Sequence, residues 1–156
     1  MTGVSGAMKL CIIYDSFHKK NTEKVLLGVQ AAQPDIELVK AKDFDEAVLE
    51  HADAVGFASG LYFGKLSKRL LAVIERVNSK ETGPVFYMYT ATIRNRRYER
   101  SLQKQTRLAG KRLLGIWFCR GYNSYGPFKL LGGVNRKRPN ADDIKRAIAF
   151  VEGIMN

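Results

Sequence analysis

The fold of this chain is constrained most by an alternation of short apolar runs with segments of helical periodicity. Five runs are almost continuously apolar, and several are rich in β-branched or aromatic residues. They cover residues 9–14, 36–39, 54–58, 85–89 and 113–118. Such runs are typical of strands that are buried on both faces of a parallel sheet.

Helical stripes lie between and after these runs, with apolar residues spaced three or four apart. The stripes are Val25, Leu26 and Val29; Leu66, Leu70, Ile74 and Val77; a weaker set of Tyr98, Leu102 and Ala109; and Ile144, Ala147, Ile148 and Val151. Asn140 is a favoured capping residue for the last helix. The connection around residues 45–51 gives the faintest helical signal. Strict alternation predicts an α/β doubly wound sheet with helices on both faces.

The length of 156 residues suits one domain. Residues 1–7 are small and polar and are predicted to form a loose tail, and 8–156 to form the single domain. No apolar run approaches the roughly 20 residues that span a bilayer, and the first residues lack the features of a secretory signal. A cytoplasmic location is therefore expected.

The two cysteines, Cys11 and Cys119, lie inside apolar runs and are predicted to be buried, reduced thiols. No cluster of Cys, His and carboxylate residues has metal-binding spacing, so no metal site is predicted. The net charge of +11 implies attraction to something acidic. A nucleic acid, an anionic membrane surface, an acidic protein and a phosphorylated ligand all remain open.

Ligands of doubly wound sheets bind beyond the carboxyl ends of the strands, so the loops after these ends are the candidate site. The first loop lies in "DSFHKKNTEKV" and opens a helix, whose N-terminal N–H groups and dipole favour a phosphate. It lacks both the Walker ending and a Gly-x-Gly-x-x-Gly fingerprint. A plainer interpretation is that Asn21 caps the helix and the charges are solvated.

The second loop places two aromatic residues, Tyr62 and Phe63, between Gly60 and Gly64. Glycines allow a backbone to approach a ligand, and aromatic rings can flank a planar group. The alternative is an ordinary turn with both aromatics in the core. The third loop is short and carries hydroxyl residues. The fourth follows Cys119 and is long, as functional connections often are.

Three stretches, "YDSFHKKNTEKV", "ADAVGFASGLYFGKLSKRLL" and "GYNSYGPFKLLGGVNRKRPNADDI", resemble the flavodoxin family. The resemblance runs from Met8 to the end of the chain. It implies a five-stranded parallel sheet in the order 2-1-3-4-5 and one non-covalently bound FMN. It also implies one- or two-electron redox chemistry carried by that flavin.

The resemblance also assigns binding roles by position. The FMN phosphate would be held by Ser16, His18, Lys19, Lys20, Asn21 and Thr22. One side of the isoalloxazine would be lined by Ser59, Gly60, Leu61, Tyr62 and Phe63. Its pyrimidine edge would face Thr90, Ala91 and Thr92. The ring or ribityl chain would lie near Cys119, Arg120, Gly121 and Tyr122. The chain departs from many relatives at Lys20, where they have glycine, and Asp15 directly precedes the loop.

Three functions follow from these observations. The first is an electron carrier that exchanges electrons with a redox protein, which the charge predicts to be acidic. The second is an FMN-dependent reductase of quinones or small oxidants that uses NAD(P)H. The third is a flavin-less module that holds an anion or nucleic acid on the basic segment 94–112; the simpler interpretation of that segment is a solvated helix face. His18 has no orienting partner in the sequence, so no catalytic residue is predicted.

The basic segment predicts an unusual redox potential. Electron-shuttling flavodoxins are usually acidic around the flavin, whereas here Arg94, Arg96, Arg97 and Arg100 surround a single acid, Glu99. Positive charge favours a fully reduced, anionic flavin. We expect its formation at a less negative potential than in an acidic flavodoxin, measured by redox titration of the bound FMN. An equally negative potential would contradict this expectation.

Overall fold

The computed structural model describes residues 8–16, 20–121 and 137–156. The predicted tail at 1–7 and the predicted ligand contacts His18, Lys19 and Tyr122 lie outside this part of the chain. The strands are β1 (Leu10–Asp15), β2 (Glu37–Lys40), β3 (Ala54–Gly60), β4 (Val85–Ala91) and β5 (Leu113–Arg120). They form one parallel sheet in the order β2-β1-β3-β4-β5. The predicted fold class and strand order are confirmed.

Helices cover both faces of the sheet. They are α1 (Asn21–Ala32), α2 (Lys68–Asn78), α3 (Arg96–Leu108) and α4 (Ala141–Met155). The second crossover instead contains two short 3-10 segments, Ala41–Asp43 and Glu46–His51. No residue of the second segment is fully buried, and Val48 and Leu49 pack only partly against the core, which gives a full α-helix little support there. None of the described helices is both long enough and apolar enough to cross a membrane.

The side chains of β1 show why its apolar run is continuous. Leu10, Ile12 and Tyr14 pack into the core beneath α1 and α4, whereas Cys11 and Ile13 pack into the core beneath α2 and α3. Successive residues of a strand point to opposite faces. Both faces are covered, so every residue of the strand is buried and no polar alternation can occur.

The helix starts follow side-chain capping rules with one exception. Ser67 accepts a hydrogen bond from the N–H of Leu70, and Asn95 accepts one from Tyr98. Asn140 forms the predicted cap of α4. In α1 the N-cap position belongs to Lys20, at φ 50° and with no side-chain cap bond. The interpretation of Asn21 as the capping residue is therefore wrong.

Gly56 lies in the centre of the sheet, and a Cβ atom there would come within 2.5 Å of the Phe86 ring. Phe86 is fully buried and packs edge-on against Phe150, so the ring has no room to move. We expect Gly56→Ala to destabilise the protein by about 1–3 kcal/mol through overpacking. Urea unfolding measures this change.

Gly153 provides the matched control for this substitution. It lies in α4, and a Cβ atom there would meet nothing within 4 Å. Gly153→Ala should stabilise the protein by about 0.5–1 kcal/mol, because alanine has the higher helix propensity. Equal effects of the two substitutions would show that the contact with Phe86 is unimportant.

Candidate functional site

The loops that the sequence singles out meet at the carboxyl edge of the sheet. The hydroxyls of Thr22 and Thr90 lie 3.0 Å apart and form a buried hydrogen bond between the start of α1 and the end of β4. The N–H of Leu61 donates to the carbonyl of Thr90, and the N–H of Gly121 donates to Ala91, each at 3.0 Å. Residues from all four predicted loops are thus joined by direct contacts.

Gly121 lets the end of β5 approach the start of α1 closely. A Cβ atom at this position would lie 2.5 Å from Nδ2 of Asn21. Any other residue would force the Asn21 side chain or the loop to shift. The Asn21 side chain therefore lies close to the backbone of the β5 loop.

The hydroxyl groups at the start of α1 suit an anionic ligand. Ser16 accepts a hydrogen bond from the N–H of Glu23 at 3.2 Å, which leaves its own hydrogen to be donated. In the pair of Thr22 and Thr90, the hydroxyl that accepts likewise keeps a hydrogen for another acceptor. The N–H groups in the first turn of α1 and the positive end of the helix dipole add to this donor set.

The carboxylate of Asp15 is already bonded to a side chain outside this donor set. Its Oδ2 accepts a hydrogen bond of 2.7 Å from Ser67, which caps α2 on the other face of the sheet. The Ser59 hydroxyl accepts from the N–H of Ser67 and donates to the carbonyl of Gly60. Ser59 is wholly buried, so its side chain stabilises the conformation of the β3 loop from the interior of the protein.

A small polar cavity of about 220 Å³ lies beside the starts of α1 and α2 and the ends of β1 and β2. Its cations are Lys20, Lys40, Lys42 and Arg69, and its carboxylates are Asp15 and Glu23. Both carboxylates have partners, since Tyr14 donates to Glu23 at 3.0 Å and Ser67 to Asp15. The excess of positive charge favours an anion in this cavity.

Three of these cations, Lys40, Lys42 and Arg69, were not among the predicted site residues. The available signal was their position, because "KAK" ends β2 at the same edge as the four loops. Lys20 adopts a left-handed backbone conformation that favours glycine. Holding a lysine there costs on the order of 1 kcal/mol, and it places an ammonium group on the cavity wall.

The two aromatic residues of the β3 loop have different environments. Phe63 is fully exposed and has a positive φ of 55°. The interpretation that places it in the core is therefore wrong. Tyr62 is half-buried, and its hydroxyl would lie 3.1 Å from a Cβ atom on Gly60. Both rings line an open groove of about 700 Å³ that continues along Lys65 to Arg69.

The β4 loop is held by a buried carboxylate. Glu99 accepts two hydrogen bonds from Arg94, at 2.8 and 3.0 Å, and one of 2.5 Å from the hydroxyl of Tyr89. The same tyrosine oxygen accepts from the N–H of Asn95. Burial raises the pKa of Glu99, but the hydrogen bonds from Arg94 and Tyr89 outweigh it and hold the pKa below its ordinary value. Arg94, one of the arginines of the basic segment 94–112, is thus neutralised by this ion pair.

The remaining predicted residues are placed as follows. Cys119 is buried, and burial raises the pKa of its thiol to about 12, so it stays protonated at neutral pH. Arg120 is exposed at the end of β5. Thr92 is half-buried in the β4 loop. Cys11 is buried and, like Cys119, a free thiol, as the sequence predicts.

Replacing Glu99 tests how much the β4 loop depends on this carboxylate. We expect Glu99→Gln to lower the free energy of unfolding at pH 7 by about 1–3 kcal/mol, because the buried bonds to Arg94 and Tyr89 lose their charge. The stabilisation by the carboxylate is present above the ordinary pKa of 4.5 and is lost as the pH falls through the lower pKa of the folded state. The difference between wild type and variant should therefore shrink in acid.

Glu46→Gln is the control for this prediction. Glu46 pairs with Arg76 and Lys80, but all three side chains are well exposed, so little change is expected at any pH. Chemical denaturation between pH 3 and pH 7, taken as roughly the range over which carboxylates titrate, separates the two cases. A Glu99→Gln variant as stable as wild type would contradict the proposed role of the network.

Comparison with known proteins adds one sequence relative. No protein-family model matches the chain. An uncharacterized protein of Methanocaldococcus jannaschii is 35% identical over 150 residues, in an alignment that covers 95% of this chain and 99% of that protein. Identity at this level over nearly the whole of both chains shows a common family.

Solved structures with the same architecture include several flavodoxins. A flavodoxin from the domain Archaea has a TM-score of 0.65 at 12% identity and covers 95% of this chain and 96% of its own. The flavodoxin of Streptococcus pneumoniae TIGR4 has a TM-score of 0.63 at 14% identity, with coverages of 93% and 97%. The Flv1 flavodiiron core of Synechocystis sp. PCC6803 has a TM-score of 0.67 at 11% identity, over 96% of this chain but 36% of that one. The chain therefore belongs to the same family as the Methanocaldococcus jannaschii protein, and its fold is that of the flavodoxins.

Proposed function

We propose that this protein binds one FMN non-covalently and carries electrons to or from a protein partner in the cytoplasm. The observation that carries the proposal is the meeting of four loops at the carboxyl edge, with a donor set for a phosphate at the start of α1. The flavodoxin-like fold supports it, because doubly wound sheets bind ligands at this edge.

The described residues suit such a cofactor in charge and in hydrogen-bond donors. Ser16, Lys20 and Thr22 would hold the phosphate, since they offer hydroxyl hydrogens and positive charge beside the dipole of α1. The isoalloxazine would lie between the β3 loop, with Tyr62 and Phe63, and the β4 loop. The flavin supplies one- and two-electron transfer when bound, and the protein binds and orients it.

A second candidate is a reductase that takes electrons from NAD(P)H and passes them to a quinone or another small oxidant. The observation that favours it is the groove beside Phe63, whose volume of about 700 Å³ is in the range of small-molecule sites. Lys65, Lys68 and Arg69 line the groove and suit a substrate with negative charge. Steady turnover with a nicotinamide alone favours this enzyme, whereas turnover that needs a partner reductase favours the carrier.

The first test is the visible absorbance spectrum of the purified protein before and after addition of FMN. A bound-flavin spectrum with quenched FMN fluorescence is expected. A colourless protein that leaves added FMN free would overturn the proposal, and a flavin-less module that binds anions through its basic loops would take its place. Fluorescence titration of the FMN-free protein then gives the dissociation constant.

Ser16→Ala tests the phosphate site. The substitution removes one hydroxyl donor, worth about 1.4 kcal/mol, and should raise the dissociation constant of FMN about tenfold. Ser101→Ala is the control, because Ser101 lies in α3 and only accepts a bond from Gln105. Thermal unfolding of both FMN-free variants separates lost binding from lost stability. Equal FMN affinity of the two variants would contradict the role of Ser16.

A further inference from the structure

One face of α3 is covered by cations. Its members, which we name the α3 basic face, are Arg96, Arg97, Arg100, Lys104 and Arg107. All five are exposed, and none has an ion-pair partner among the described residues. Spacings of three and four place them side by side along the helix, over a length of about 17 Å.

Little of the charge on this face is compensated within the helix. The one acid of α3 is Glu99, which is buried, forms its ion pair with Arg94 outside the face, and interacts only weakly with Arg96. Arg96 and Arg97 lie in the first turn, where the helix dipole disfavours cations, and neighbouring cations along the face repel one another. These charges destabilise the helix, so a binding role accounts for them better than a structural one.

Two exposed apolar side chains continue the surface at its N-terminal end. Ile93, in the loop before α3, is 67% exposed, and Phe63 in the β3 loop is fully exposed. The β3 loop and the first turn of α3 are in contact, because the N–H of Leu66 donates to the hydroxyl of Tyr98 at 3.2 Å. Apolar residues flanked by charged ones at one edge are typical of a protein interaction surface.

We infer that the α3 basic face, together with Ile93 and Phe63, docks an acidic redox protein. This inference rests on the proposed electron-carrier function. The surface begins at the β3 and β4 loops, so a partner bound there would lie close to the proposed flavin. Complementary charge would steer the encounter, and the apolar residues would fix the docked position. Ile93 favours a protein as the occupant, because an exposed aliphatic side chain suits the apolar core of a protein interface.

The test uses an acidic plant-type ferredoxin as the probe and compares two variants of equal charge. Arg97→Glu/Arg100→Glu/Lys104→Glu alters the α3 basic face. Lys9→Glu/Arg112→Glu/Lys145→Glu alters exposed cations elsewhere. Each triple variant lowers the net charge from +11 to +5, because each substitution removes one positive and adds one negative charge. The corresponding glutamine variants repeat the comparison, and circular dichroism checks the fold of each.

Ile93→Ser tests the apolar part of the surface in the same way. Its control is Leu27→Ser, because Leu27 is 53% exposed on α1. Isothermal titration calorimetry measures ferredoxin binding to the FMN-loaded and the FMN-free protein. The measurements run at low salt and at about 0.15 M ionic strength. Duplex and single-stranded DNA of random sequence are titrated as competing probes.

We expect the α3 triple variant to weaken ferredoxin binding about tenfold or more at low salt, and the control triple about twofold. Ile93→Ser should weaken it about threefold, and Leu27→Ser should not change it. Three results would each overturn the inference. The first is equal weakening by both triple variants, and the second is no ferredoxin binding by any form of the protein. The third is binding of DNA that is tighter than that of ferredoxin and is abolished in the α3 variant. A protein that fails to bind FMN but binds ferredoxin through α3 would refute the proposed function, while the docking surface on α3 would still be supported.

Discussion

Parallel pairing of five strands buried on both faces is the constraint on which the rest of this structure depends. The run of β1 sends Ile12 into one core and Ile13 into the other, so both faces of the sheet are covered mainly by apolar side chains. All the strands point the same way, so their carboxyl ends meet at one edge. The loops that follow the strands therefore gather at this edge, and the contact between Thr22 and Thr90 is one result.

Buried carboxylates at this edge organise the neighbouring cations. Glu99 holds Arg94 at the start of α3, and Asp143 holds Arg138 and Arg146 at the start of α4. Burial raises the pKa of Asp143, but hydrogen bonds from Arg138 and from the backbone of Asn140 outweigh it and keep the pKa below its ordinary value. Each carboxylate also satisfies backbone or hydroxyl donors near a helix start. These acids therefore serve the architecture, and the other cations of the edge keep their charge for a ligand or partner.

The positive charge at this edge of the sheet lowers the stability of the fold. Lys20 takes a backbone conformation better suited to glycine, and Lys68 and Arg69 occupy the first turn of α2, where acids would be favoured. The basic residues of α3 repel one another in the same way. Unfavourable local choices that gather at one edge of a well-packed fold are typical of a functional region. In this chain they all add positive charge at the same edge of the sheet.

The sequence by itself determined the fold class, the strands and most of the helices. Strands that are buried on both faces appear in the sequence as continuous apolar runs, and helices that pack on the sheet appear as apolar stripes. It also pointed to the loops after β1, β3, β4 and β5, since their order along the chain follows from the alternation. The faint helix at 45–51 became a 3-10 segment because its apolar residues, Val48 and Leu49, are only partly buried against the core.

Only the tertiary structure decided which side chains meet. Asp15 and Ser67 are 52 residues apart, and their hydrogen bond ties the carboxylate to the start of α2. The ion pair between Arg94 and Glu99 neutralises one positive charge of the segment 94–112, in which every charged residue except Glu99 is basic. Phe63 could not be assigned to the core or to solvent until its loop conformation was known. Side-chain direction and ion pairing depend on contacts between distant segments, and one-dimensional periodicity carries no information about them.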